Sequence, residues 1–379
     1  MSTPARAAVL VLEDGRAFFG QRFGAPVDGA GEVVFNTSLS GYQEIITDQS
    51  YAGQMVVMTY PLIGNYGIAE GDDEARRPHL AALIVKEPSR VASNWRASGS
   101  LERYLTRHRV PGLWGLDTRA LVRHLRERGA LRGVIADSGP SSEELAARAR
   151  ALPSMVGCDL ASGVSCAARY EFGEPSPLAS PRPHSAAGRH VVVVDFGVKA
   201  SILRNLVDVG ARVTVVPART SASDVLALAP DGVVLSNGPG DPEPLDYAVA
   251  NIKALLGRVP LFGICLGHQL LGLACGGRTY KLKFGHHGGN HPVMCLATRK
   301  VEITAHNHNF AVRADSLPAT CEATHLNLND QTLEGLARKD VPAMSVQYHP
   351  EGAPGPHDAY YLFERFARMM QDVAPRPRP

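Results

Sequence analysis

From His190 onward the chain alternates apolar runs with helical patterns, and that alternation leaves few folds open. His190-Val-Val-Val-Val-Asp195 is apolar without interruption, as a strand buried on both faces requires. A helical pattern follows through Val198, Ile202, Leu203, Leu206 and Val209 and closes at Gly210. Arg212-Val-Thr-Val-Val216, Gly232-Val-Val-Leu-Ser236 and Val259-Pro-Leu-Phe-Gly-Ile264 repeat the strand signal, with helices expected near 223–229 and over 245–256 between them. Such alternation implies the α/β class: an open, mostly parallel sheet with helices on both faces. Its functional groups are expected at the carboxyl ends of the strands.

At 379 residues the chain is longer than one hydrophobic core usually supports. A separate mixed α+β domain is therefore expected over residues 1–166. There Gly31-Glu-Val-Val-Phe35 and Gln54-Met-Val-Val-Met-Thr59 read as strands. Asp117 to Arg128 reads as a helix capped by Asp117, with Leu121, Val122 and Leu125 as its apolar stripe, and Ser141-Ser-Glu-Glu-Leu starts another. Between the halves, residues 167–189 include Glu174-Pro-Ser-Pro-Leu-Ala-Ser-Pro-Arg-Pro183 and read as an extended, solvated linker. The α/β domain is expected over 190–373, followed by a disordered tail at 374–379.

A formal charge of +2 gives no electrostatic reason for nucleic acid or an anionic membrane surface as a partner. No stretch approaches the roughly 18–20 apolar residues of a membrane span, and Met1 to Arg6 carry no signal-peptide pattern, so a cytoplasmic location is expected. Cysteines 158, 166, 265, 275, 295 and 321 form no C-x-x-C pair and suggest neither zinc nor a dithiol redox site.

Two loops fall at expected strand ends: Ser236-Asn-Gly-Pro-Gly-Asp-Pro242 and Gly263-Ile-Cys-Leu-Gly-His-Gln269. Gly-x-Cys-x-Gly between a buried strand and a helix has the form of a nucleophile elbow, where a Cβ beside the nucleophile would clash with backbone. A cysteine at a helix N-terminus is favoured as thiolate, and the Leu266 amide points where an oxyanion would form. A second donor can come from the glycine loop at 238–240. Gln347-Tyr-His-Pro-Glu351 supplies a base: His349 and Glu351 lie two apart in an extended segment, so their side chains point the same way. The expected triad is Cys265, His349 and Glu351. Phe284-Gly-His-His-Gly-Gly-Asn-His-Pro292 reads as a glycine-rich loop with hydrogen-bonded histidines; no carboxylate or cysteine stands at ligand spacing, so no metal is expected.

Asn237-Gly-Pro-Gly-Asp-Pro242, Gly263 to Gln269 and His349-Pro-Glu351 resemble class I, triad-type glutamine amidotransferases. The histidine-rich segment 284–292, Glu351-Gly-Ala-Pro-Gly-Pro-His-Asp358, Gly31-Glu-Val-Val-Phe-Asn-Thr-Ser-Leu-Ser-Gly-Tyr-Gln-Glu44, Thr59-Tyr-Pro-Leu-Ile-Gly-Asn65 and Asp117-Thr-Arg119 resemble the small chain of carbamoyl-phosphate synthase. The resemblance implies hydrolysis of L-glutamine through a Cys265 thioester. His349 would move the protons and Glu351 would orient it. Ammonia would pass to a large chain in a heterodimer, with the N-terminal domain over 1–166 making the large-chain contact. That chain, carrying ATP and Mg²⁺, would make carbamoyl phosphate from bicarbonate for arginine and pyrimidine biosynthesis, with no cofactor in the small chain.

By the same resemblance Ser50, Gly238, Gly240, Leu266, Gln269, Asn307, Asn309 and Phe310 would bind glutamine, with Ser50 placing the pocket at a domain interface. The family has glycine where this chain has Asn309, and proline where it has Gln49. Two other readings use the same residues: a self-contained hydrolase of γ-glutamyl substrates, which would not need the N-terminal half, and a non-catalytic subunit, which would have no need of the triad.

Overall fold

A computed structural model describes residues 6–177 and 184–373. The expected tail at 374–379 and part of the expected linker, 178–183, lie outside the described residues. The chain divides into two compact units: residues 1–155 with 283–288, and residues 156–282 with 289–379.

The first unit is built on a closed seven-stranded barrel. Its strands are β1 (Ala7–Leu12), β2 (Ala17–Gly24), β3 (Gly29–Asn36), β4 (Gln54–Met58), β5 (Ala82–Val85), β6 (Pro111–Trp114) and β7 (Leu131–Asp137). They close in the order β1-β7-β3-β4-β5-β6-β2, with β3, β4, β5 and β6 parallel in succession and the other pairs antiparallel. Alternation sorts their side chains to two sides. On β4, Met55 and Val57 join one cluster with Leu10, Val33, Phe35 and Ile84, while Val56 and Met58 join another. The helices α1 (Tyr42–Thr47) and α2 (Leu101–Arg107) pack into that second cluster, and α3 (Thr118–Arg128) seals the first with Leu121 and Leu125. The Asp117 side chain caps α3 by accepting from the Ala120 amide at 2.9 Å. Helix α4 (Ser142–Ala151) begins with a capping box between Ser141 and Glu144 and covers β1 and β7. Residues 283–288 return to this unit, where Thr37 and Ala130 amides donate to the carbonyls of His287 and Lys283.

The second unit holds a ten-stranded sheet. Its strands are β8 (Tyr170–Phe172), β9 (His190–Asp195), β10 (Arg212–Pro217), β11 (Gly232–Leu235), β12 (Leu261–Ile264), β13 (Thr279–Cys295), β14 (Val301–Val312), β15 (Cys321–Asn327), β16 (Leu333–Arg338) and β17 (Ala343–Val346), in the order β8-β10-β9-β11-β12-β17-β16-β15-β13-β14. Strands β10, β9, β11, β12 and β17 form its parallel centre. Val191 and Val193 of β9 face one core with α5 (Ala200–Asp208) and α9 (Tyr361–Asp372). Val192 and Val194 face the other, with α6 (Ala222–Ala227), α7 (Asp246–Leu255) and α8 (Leu266–Ala274). Burial on both faces is why that run lacks polar alternation.

Three sequence expectations need correction. The first domain, expected over 1–166, ends at residue 155 and takes in residues 283–288. Residues 167–189 are not a solvated tether where they are described. Strand β8 pairs antiparallel with β10, Ser176 hydrogen-bonds Asp208, and Ala186 is buried in the core. Residues 284–292 are not a loop but the middle of β13.

Candidate active site

Strand β12 ends at Ile264, and the next residue, Cys265, caps the N-terminus of α8 with φ 55° and ψ −104°. A cysteine at positive φ is strained, so its surroundings must hold it. The Cys265 amide donates to the Val346 carbonyl at 2.9 Å, and the Gly267 amide to the Ser236 carbonyl at 3.0 Å. A Cβ on Gly267 would lie 2.1 Å from the Leu235 carbonyl oxygen, and one on Gly263 would lie 2.6 Å from that of Gly267. The glycines on either side of the cysteine are thus steric requirements of the turn.

The loop after β11 lies against this helix start. A Cβ on Gly238 would meet the Phe196 carbonyl oxygen at 2.2 Å and Leu266 Cδ2 at 2.8 Å. Gly240 has φ +90°. Ser236 Oγ accepts from the Phe196 amide at 2.9 Å and donates to the Asn237 carbonyl at 2.8 Å, which fixes the loop's root. Among the described residues, the amides of Leu266 and Gly238 donate to no protein acceptor. Gly238→Ala is therefore expected to displace this loop and lower kcat for the hydrolysis by about 10²–10³-fold, the usual effect of losing one oxyanion donor. Steady-state kinetics with unchanged thermal unfolding would check it; a wild-type kcat would exclude the Gly238 amide as a donor.

His349 and Glu351 are both buried, with Nδ1 and Oε1 2.7 Å apart. That bond leaves Nε2 as the ring's working nitrogen. Nε2 makes no hydrogen bond in the described chain, but the Cys265 sulfur is close enough to raise the imidazole's pKa. Sequence reasoning missed the third member of the charge cluster. Lys199, buried at the start of α5, places Nζ 2.6 Å from Glu351 Oε1 and also donates to the Ala353 carbonyl. Burial alone would lower the His349 pKa, but Glu351 and Cys265 raise it to about 10 against the opposing Lys199 charge. Burial would raise the Glu351 pKa, but Lys199 and His349 hold it at about 2. His268 of the heptapeptide is no rival base. Burial, with His325 nearby, lowers its pKa to about 3, and its Nδ1 is bonded to Ser345 Oγ at 2.9 Å.

The signs set a pH dependence. The raised His349 pKa stabilises the fold fully below the unfolded value near 6.5, and that contribution is lost as pH rises through about 10. The depressed Glu351 pKa contributes above the unfolded value near 4.5 and is lost as pH falls through about 2. Hydrolysis should fall on the alkaline side only as His349 titrates near 10. Lys199→Met, removing a cation that lowers that pKa, should move the limb to higher pH. A pH–rate profile with a limb near 6.5 that Lys199→Met leaves in place would contradict this.

Of the residues expected to bind substrate, Ser50 belongs to the first unit and the other seven to the second. Ser50 is buried beside α1, its amide held by Asp48 Oδ1 at 2.8 Å. In the second unit the Cys265 thiol donates to the Asn307 carbonyl at 3.6 Å. Gln269 Nε2 donates to the Phe310 carbonyl at 2.7 Å and to Gln347 Oε1 at 3.2 Å. Both amide protons are then used within the protein, which leaves Gln269 Oε1 as an acceptor suited to an ammonium group. Gln347, also missed from sequence, in turn places Nε2 3.8 Å from the Cys265 sulfur. Asn309 lies in β14 and is not among the residues of positive φ, so its backbone does not require the glycine found in the family. Three ligand-capable groups, His306, His308 and Glu334, also lie together in this unit. Their ring nitrogens are engaged: His306 bonds His308 at 3.1 Å and Thr304 at 2.7 Å, and His308 Nδ1 bonds the Phe310 carbonyl at 2.8 Å.

Comparisons with known proteins follow the same division of the chain. Residues 192–369 match the family model described as glutamine amidotransferase class-I, and residues 10–135 match carbamoyl-phosphate synthase small chain, CPSase domain. The chain is 56% identical to the carbamoyl phosphate synthase small chain of Syntrophotalea carbinolica over 367 residues, covering 96% of this chain and 98% of that one. It is 52% identical to the protein of the same name from Chlorobaculum tepidum, with the same coverages. To the rice protein, named carbamoyl phosphate synthase small chain, chloroplastic, it is 50% identical over 96% of this chain and 82% of that one. Among the described residues no helix is long and apolar enough to cross a membrane.

Proposed function

The chain belongs to the carbamoyl phosphate synthase small-chain family, a family of glutamine amidotransferase subunits, and on that premise we propose that it hydrolyses L-glutamine at Cys265 and delivers the ammonia to a large chain. The single observation that carries the proposal is the strained Cys265 at the start of α8, with His349 paired to Glu351 beside it. Cys265 Sγ attacks the glutamine side-chain carbonyl carbon. With its pKa raised to about 10, His349 is the imidazolium and already holds the proton that leaves the Cys265 sulfur; it gives that proton to the departing nitrogen, so ammonia leaves and a γ-glutamyl thioester remains. The Leu266 and Gly238 amides hold the oxyanion. His349 then deprotonates water, which attacks the thioester, releases glutamate and restores the thiol. Glu351 keeps His349 in its working tautomer, and Lys199 fixes Glu351.

Ser50, Gly240, Gln269, Asn307, Asn309 and Phe310 are proposed to bind the substrate. The large chain would hold ATP and Mg²⁺ and make carbamoyl phosphate from ammonia and bicarbonate for arginine and pyrimidine synthesis, in the cytoplasm. The test is co-purification with the large chain, followed by synthesis assays with glutamine and with ammonia. Synthesis from both nitrogen sources is expected. Failure to form a complex, with hydrolysis of γ-glutamyl substrates retained, would favour a self-contained hydrolase.

A further inference from the structure

The far end of α8 brings together two cysteines that no C-x-x-C spacing marks. Cys275 caps the C-terminus of that helix and is half-buried, while Cys321 opens β15 and is buried. Cys321 stands directly opposite Arg338 of β16 in the antiparallel register, so their side chains share one face of the sheet. On that face Leu336 of β16 packs in the core cluster that also takes α8 and Cys275. Arg338 Nη1 donates to Cys275 Sγ at 3.6 Å, while its Nε and Nη2 hold Asp340 at 2.9 and 2.7 Å. The Cys321 thiol hydrogen-bonds the same Cys275 sulfur. Two donors therefore converge on Cys275 Sγ. Burial, with Cys275 beside it, pushes the Cys321 thiol up to about 12, so it keeps its proton and stays a donor. Backbone bonds hold the two segments together: the Arg313 amide donates to the Arg278 carbonyl at 2.8 Å, and the Arg278 amide to Ser316 Oγ at 2.8 Å.

We propose that Cys275 and Cys321 form a reversible disulfide when the chain meets a peroxide, with Cys275 as the attacking sulfur and Cys321 as the resolving one. Cys275 Sγ attacks one oxygen of hydrogen peroxide, the O–O bond breaks, and the other oxygen leaves as water with the thiol proton. Cys321 Sγ then attacks the sulfenic sulfur of Cys275, the S–O bond breaks, and a second water leaves with the Cys321 proton. The two thiols give up two electrons and the peroxide takes them. Partial exposure gives peroxide access to Cys275, and Arg338 stabilises the negative charge its sulfur carries in the attack. The bond closes a loop that holds β13 and β14, and with them Asn307, Asn309 and Phe310, onto the end of the helix that Cys265 caps.

The test treats the full chain with hydrogen peroxide, blocks the remaining thiols with N-ethylmaleimide and maps unreduced peptides by tandem mass spectrometry. A cross-linked Cys275–Cys321 peptide that dithiothreitol separates is expected, with thermal unfolding of the oxidised chain raised by about 5–10 °C. Cys321→Ser should stop at a sulfenic acid on Cys275 that dimedone traps, whereas Cys275→Ser should leave Cys321 as a thiol. Arg338→Met should slow the cross-linking at least about tenfold. Before oxidation both serine variants should hydrolyse glutamine at the unmodified rate, since neither residue belongs to the catalytic machinery. Peroxide consumed at Cys265 while Cys275 and Cys321 are both recovered alkylated would overturn the proposal. So would sulfinic acid on Cys275 as the main product with Cys321 in place, or dimedone capture at Cys321 in Cys275→Ser. The cross-link is read without an assay of glutamine hydrolysis, so it stands or falls separately from the function proposed above.

Discussion

Replacing Cys265 with alanine is expected to lower glutamine hydrolysis by at least about 10³-fold. The substitution removes only the sulfur. Cys265 is the single residue between β12 and α8, and its amide bond to Val346 does not involve the side chain. Alanine at φ 55° keeps the strain and adds none, so the fold should survive. With the large chain present, synthesis from ammonia should continue at the wild-type rate while synthesis from glutamine stops. That split separates loss of the nucleophile from loss of assembly, because a misfolded subunit would disturb both. Cys275, at the other end of α8, cannot substitute, since it caps the far terminus of the helix.

Glu351→Gln should act on stability and rate together. The carboxylate is buried between two cationic partners, Lys199 at 2.6 Å and His349 at 2.7 Å. A neutral amide leaves Lys199 as a buried cation without its counter-charge, and breaking such a pair typically costs roughly 3–5 kcal/mol. For a unit of this size that corresponds to a melting transition lower by about 10 °C. Without Glu351, burial and Lys199 lower the His349 pKa with only Cys265 opposing them, so the imidazolium that protonates the departing nitrogen is lost. A fall in kcat of about 10²–10⁴-fold is expected. The double variant Glu351→Gln, Lys199→Met removes both charges and should recover much of the stability but none of the rate. Calorimetry and kinetics on the three proteins would check this. A Glu351→Gln variant with wild-type stability would mean the pair does not carry the charge balance assigned to it.

The parallel centre of the second unit was legible because burial on both faces leaves a direct mark: the four valines of β9 divide evenly between two cores. The elbow was legible because its glycines answer a local clash, as Gly267 against Leu235 shows. The antiparallel extension was not. In β13 and β14 the segments Gly-His-His-Gly-Gly-Asn-His and His-Asn-His-Asn put polar side chains, His286, His287, His306, Asn307, His308 and Asn309, at buried positions, so no apolar alternation signals a strand. Strand β8 is three residues long beside a proline-rich run, and its short pairing with β10 outweighs that composition.

Lys199 was invisible for a different reason. It follows β9 as an ordinary helix-start residue, and only the folded sheet carries it to Glu351, 152 positions away. Asn309 lies in a strand and is not among the residues of positive φ, so nothing in its backbone calls for glycine.

The central assignment, Cys265 as nucleophile, is tested most directly by trapping the covalent intermediate. The protein would be mixed with glutamine, quenched in acid during turnover, digested and sequenced by tandem mass spectrometry. A γ-glutamyl group on the Cys265 sulfur, absent from Cys265→Ala, is the predicted result. A γ-glutamyl group on another residue, or glutamate released at the wild-type rate by Cys265→Ala, would contradict it.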